Sequence, residues 1–230
     1  MPDFRNYFTN PFDSNRISDD NLRMFTQDHI QRTTANNHTG IYTAILNATT
    51  PLFNAFAKGI DDKNLRATIK KGETLQVYKL LDLFVKTTAR REGAVRSAFG
   101  AESAEYLMFF PNGLTEYAKP GIDKAMTLMK RMEAATAKYT AELGADIAAE
   151  FADIHAQYEL LRNKQLLAFG DVERLRSITA SARKALVAQL YLNLLFIASQ
   201  NVGHPDRADD FMNQAIIRPS RKKADDKKVS

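Results

Sequence analysis

VYKLLDLFVKTTARREGAVRSA, residues 77–98, is the stretch that decides the fold. Val77, Leu81, Phe84, Thr88, Arg91, Val95 and Ala98 recur at alternating intervals of four and three, and only Arg91 is a clear exception to the pattern. That rhythm keeps one stripe of an α-helix turned toward a partner. It cannot lie on one face of a strand, whose side chains alternate. The stretch predicts a helix packed lengthwise against another, as in a coiled-coil seam.

Upstream, Asp61-Asp62 supplies acidic first-turn residues, so this helix is expected to open there and run to Gly100, with Gly72 as its weak point. An earlier helix should start at Ser18-Asp19-Asp20, an N-cap with acidic residues behind it. Its stripe of Leu22, Phe25, Ile30, Ile41, Ile45 and Leu46 is interrupted by poor helix formers at Asn36–Gly40, and Thr50-Pro51 is a second candidate break. Downstream, a short helix near Ala104–Phe109 is followed by two breakers, Pro111-Asn112-Gly113 and Lys119-Pro120-Gly121. A third helix is expected from Ile122 through Tyr158 and Leu161, with Gly144 as a possible kink site. Phe169-Gly170-Asp171 reads as a stop and a new N-cap, opening a fourth helix from Val172 to about Asn201. Leu186, Leu190, Leu192, Leu194, Leu195, Phe196 and Ile197 cover so much of its circumference that it is expected to be the most buried element. A short amphipathic helix over 207–217 should close the fold before Pro219.

No stretch alternates as a strand would. The expected fold is therefore all-α, an elongated antiparallel four-helix bundle with short accessory helices. It occupies one domain over residues 1–217, and a mobile charged tail follows over 218–230. The halves 19–110 and 121–217 form a possible pseudo-repeat. Tyr42-Thr-Ala-Ile-Leu-Asn-Ala parallels Tyr139-Thr-Ala-Glu-Leu-Gly-Ala, and Leu80-Leu-Asp-Leu-Phe-Val parallels Leu192-Asn-Leu-Leu-Phe-Ile. The two matches imply different offsets, and short matches of this kind also arise by chance in Ala- and Leu-rich helices.

The 230 residues include no cysteine, which removes disulfides, thiolate metal sites, Fe–S clusters and cysteine nucleophiles. There are 32 basic and 27 acidic side chains, a net charge of +5. From Arg218 onward six basic residues oppose two acidic ones, so the tail carries +4 and the remainder +1. The positive charge therefore belongs to the tail more than to a face of the body. The most apolar run, Ala185–Ala198, is interrupted by Gln189 and Asn193 and is shorter than the ~20 residues that span a bilayer. No basic region followed by an apolar stretch opens the chain, and a cytoplasmic location is the expectation.

Phosphate-loop, dinucleotide, nucleophile-elbow and zincin motifs are all missing. A ferritin-like di-iron site needs Glu three residues before His, but Thr26, Ala35, Ala152 and Asn201 precede His29, His38, His155 and His204 at that spacing. The nearest metal constellation is Glu150, Asp153, His155 and Glu159, in which His155 and Glu159 share a helix face. Lacking further ligands, that group reads better as an ion-paired helix surface. Met126, Met129 and Met132 read as core packing, with Met132 at its border. For polyanion binding the candidates are Lys63, Arg66 and Lys70, then Arg90 and Arg91, then Lys222 and Lys223 in the tail. Acidic neighbours make a solvated helix face an equal explanation of the first two groups. Phe4, Tyr7, Phe8 and Phe12 must find a surface, either the chain's own bundle, which is preferred, or a neighbouring subunit or partner.

These observations favour a noncatalytic helical-bundle interaction protein, a scaffold, adaptor or assembly component. No cofactor is assigned, and the partner is another protein or a second copy. Two alternatives remain: a carboxylate- or metal-dependent enzyme with its site inside the bundle, and a nucleic-acid-associated accessory protein.

Overall fold

The computed structural model describes residue 5 and residues 8–218, and every regular element among them is helical. The all-α bundle expected from the sequence is what the chain forms, but its helices are divided at other points. Helix α1 (Asp19–Ala35) is capped as expected, Ser18 Oγ accepting from the Asn21 amide at 3.1 Å. It is followed by α2 (Thr43–Phe99), a single helix of 57 residues. Short helices α3 (Ala104–Phe109) and α4 (Thr115–Ala118) lead to α5 (Ile122–Lys138), then to α6 (Thr140–Leu143). Helix α7 (Ala145–Gln200) has 56 residues, and two 3-10 turns, Pro205–Asp210 and Gln214–Ile216, end the described chain.

Two expected boundaries lie inside helices. Asp61 and Asp62 sit on the surface of α2, where Asp61 accepts from Arg23 at 2.7 Å and Asp62 pairs with Lys58 one turn back at 2.5 Å. They serve as ion-pair partners and not as a helix start. Phe169-Gly170-Asp171 lies within α7 because Gln165, Ala168, Val172, Leu175 and Thr179 stay buried at intervals of three and four across it. A continuous buried stripe outweighs the roughly 1 kcal/mol that one helical glycine costs. Pro51 is likewise inside α2. The actual corners fall at Gly40 and Gly144, with φ of 79° and 94°, a region that side chains other than glycine's avoid.

The chain divides into two compact units. One gathers the described residues up to Leu65 and those from Glu173 onward. Its core joins Leu22 and Phe25 of α1, Phe56 and Ile60 of α2, Leu186 and Leu190 of α7, and Phe211 and Met212. Only one stripe of α7 is buried here, since Leu192 is 57% and Leu195 44% exposed. The all-round burial expected of this segment is therefore corrected: at 3.6 residues per turn, Leu192 points almost opposite to Leu190.

The other unit is Arg66–Val172, with Val77 and Phe84 of α2, Leu128 and Met132 of α5, and Phe151 and Tyr158 of α7 in its core. Met132 is fully buried, not at the border. Arg91, the exception in the seam, is answered by α7: its Nε donates to Glu150 at 2.8 Å. The connection between α3 and α5 is pinned by the Tyr117 hydroxyl, which donates to the Phe109 carbonyl at 2.6 Å, and by Arg131, which donates to Glu116 at 2.8 Å. The hydrogen bond from Arg131 holds the Glu116 carboxyl below its usual range.

Burial repeats along the chain. The buried residues of α1, Leu22, Phe25, Thr26, His29 and Thr33, recur in α5 as Ala125, Leu128, Met129, Met132 and Thr136, each pair 103 positions apart. In the long helices Phe56 and Tyr158, Phe84 and Leu186, and Val95 and Ile197 are equally buried pairs 102 positions apart.

Candidate binding groove

The first unit carries the candidate site. On α1 and its C-cap Asn36, three polar side chains hold three successive backbone carbonyls of the C-terminal segment. Arg32 Nη1 donates to Asp209 O at 2.9 Å, Asn36 Nδ2 to Asp210 O at 3.1 Å, and His29 Nδ1 lies 3.0 Å from Phe211 O. The His29 contact requires the proton on Nδ1, which leaves Nε2 to accept from Asn193 Nδ2 at 3.0 Å. Asn193 also donates to Thr49 Oγ1 at 2.7 Å and accepts from Gln189 at 2.8 Å. His29 and Asn193 are fully buried, and burial pushes the His29 pKa below its ordinary value against the weaker opposing pull of the Phe211 bond and the Asp28 charge. This network is satisfied on all sides, so it fixes geometry and does not present a reactive group.

From the opposite side, the lead-in before α1 docks on α7. Asn10 Nδ2 donates to Val187 O at 3.1 Å, and the Phe12 and Phe25 rings stand 5.3 Å apart. Between the lead-in, the end of α7 and the clamped C-terminal segment lies a cavity of about 970 Å³. Phe12, Phe25, Leu194, Ile197, Met212 and Ile217 are among the residues that give it an apolar lining. Arg16, His204, Arg207 and Arg218 stand exposed at its edge, and no carboxylate lines it among the described residues. Such a volume, mostly apolar with a few converging polar groups, is typical of small-molecule sites at roughly 300–1,000 Å³.

The residues singled out from the sequence are distributed otherwise. Glu150 pairs with Arg90 and Arg91, and Asp153 accepts from Gln157 at 2.7 Å, so neither joins His155. Around His155 stand Glu159, at 3.5 Å from Nε2, and Glu133 of α5, at 2.6 Å from Nδ1, a partner the sequence did not indicate. Both carboxylate side chains are exposed, at 49% and 38%, so the trio is a polar surface cluster and not an axial site. No group of three or more His, Asp or Glu among the described residues is placed to hold a metal ion.

Lys63 pairs with Asp19 at 3.0 Å and Arg66 with Asp171 at 3.6 Å, while Lys70 stands 3.9 Å over the Phe169 ring. With Arg90 and Arg91 bound to Glu150, much of this positive charge is locally compensated. Phe12 is buried in its own unit, and Phe8 is 85% exposed. Phe4, Tyr7, Lys222 and Lys223 lie outside the described residues. No described helix is long and apolar enough to cross a membrane.

Set against protein-family models, curated proteins and solved structures, the chain matches none of them.

Proposed function

We propose that this chain is a noncatalytic binding protein, a scaffold, adaptor or assembly component built on an internal repeat, and that the groove of its first unit is the surface through which it acts. The observation that carries this reading is the contrast between the groove and the polar clusters. The His29 and His155 clusters and most of the candidate basic residues are engaged with neighbouring side chains or backbone, whereas the groove presents an open apolar lining with no carboxylate among the described residues. Apolar surface left in water is unfavourable in proportion to its area, so a lined concavity of this size is a place for a partner. The repeated burial pattern supports duplication. It also makes the His29–Asn193 network a feature of one half, because Met132 and Arg91 occupy the corresponding positions in the other.

Nile red, a neutral apolar dye, tests the reading. Full-length protein should bind it saturably with a blue-shifted emission, and Ala198→Trp, which places a large ring at an exposed position in the lining, should abolish that binding while leaving the circular dichroism spectrum unchanged. Absence of saturable binding by the unaltered chain would overturn it.

A further inference from the structure

Resting on that reading, we infer that the groove binds a free single-chain amphiphile with an anionic head, a long-chain fatty carboxylate. The lining supplies the two parts such a molecule needs. Its floor, with Phe25, Ile197 and Met212, is apolar and takes the alkyl chain. Its edge is cationic, with Arg16, Arg207 and Arg218. Arg207 is paired with Asp210 at 2.6 Å, but neither Arg16 nor Arg218 has an ion-pair partner among the described residues, and Arg218 only donates to Gln214 Oε1 at 3.2 Å. A guanidinium offers parallel N–H donors that match a carboxylate, and beside an apolar wall the pairing is stronger than in open water.

Charge argues against the other occupants. A second copy seated on this face through the same patch would set Arg16, Arg207 and Arg218 against their own counterparts. The chain's own segment beyond Arg218, with five basic and two acidic side chains, carries +3 and would meet the same repulsion. An acyl chain with a carboxylate meets none.

The test is calorimetric titration of the full chain with sodium dodecanoate and tetradecanoate below their critical micelle concentrations, beside methyl tetradecanoate. Saturable one-to-one binding is expected, tighter for the longer chain by about two- to fourfold per added methylene. The carboxylate should bind at least tenfold more tightly than its methyl ester. The double variant Arg16→Glu/Arg218→Glu, changed only at exposed side chains, should lose that tenfold preference and retain the ester and Nile red. Ala198→Trp should lose all three ligands.

Equal binding of ester and carboxylate, or an unchanged preference in the double variant, overturns the inference while Nile red binding leaves the groove reading standing. Loss of dye and carboxylate binding together defeats both. Three further results also overturn the inference. The first is binding of anionic phospholipid vesicles without binding of monomeric carboxylate. The second is dimerisation abolished by Ala198→Trp. The third is carboxylate binding that appears only in the full-length Phe4→Ser/Tyr7→Ser variant, which would make the chain's own aromatic segment the occupant.

Discussion

Substitution of Gly59 by alanine should destabilise the protein, although alanine is the better helix former. Gly59 lies within α2, and a Cβ placed on it would stand 2.9 Å from Thr179 Oγ1 and 3.4 Å from Thr179 Cα on α7. Thr179 cannot move aside easily, since it is 3% exposed and its hydroxyl donates to Leu175 O at 2.7 Å. Helix propensity favours alanine by about 1 kcal/mol. Overpacking a tight contact costs about 1–3 kcal/mol, so the net effect should fall between no change and a loss of about 2 kcal/mol. Gly72, Gly93 and Gly170 are internal controls. Each lies inside a long helix with nothing within 4 Å of where an added methyl would stand, and alanine at each should stabilise by about 0.5–1 kcal/mol. Thermal unfolding of the full-length chain measures all four, with about 2–4 °C of Tm per kcal/mol at this size. In a Thr179→Ala background the penalty at position 59 should shrink or reverse, giving a coupling above about 0.5 kcal/mol. If Gly59→Ala stabilises as much as the three controls, the close approach of the two helices is refuted.

Two further outcomes follow from the first unit. Leu190→Ala should cost about 2–5 kcal/mol, the usual loss for a buried leucine, whereas Leu192→Ala should stay within about 0.5 kcal/mol; denaturant titration of both variants checks the assigned face of α7. Because burial depresses the His29 pKa, the unfolded chain binds the proton more readily than the folded one. The associated stability is fully present above the unfolded value of about 6.5 and is lost as pH falls from there through the folded value. The difference in stability between the unaltered chain and His29→Gln, measured from pH 8 to 5, should slope in that window; a flat difference would count against a buried neutral histidine.

The helical class was legible because it is a local property: intervals of three and four among Val77, Leu81, Phe84 and Val95 leave few other ways to bury one stripe. Ser18 as a cap and Gly40 as a corner were legible for the same reason, each being decided within a few residues. Helix boundaries were not. Asp61-Asp62 and Gly170 carry local preferences worth about 1 kcal/mol, and the uninterrupted stripe of buried residues through α2 and α7 overrides them. His29 had a readable signal, falling on the stripe of Leu22 and Phe25, but its neutral form could be assigned only once Phe211 O and Asn193 stood beside its two nitrogens. The partners of charged residues were equally hidden. Glu133 reaches His155 from another helix, and Glu150 answers Arg90 and Arg91 across about sixty positions of sequence. The groove depends most heavily on tertiary structure. Phe12 and Phe25 come from one end of the chain, Leu194, Met212 and Arg218 from the other, and a concave apolar surface with a cationic edge exists only where the packing of α1 against α7 and the carbonyl clamp of His29, Arg32 and Asn36 bring those ends together.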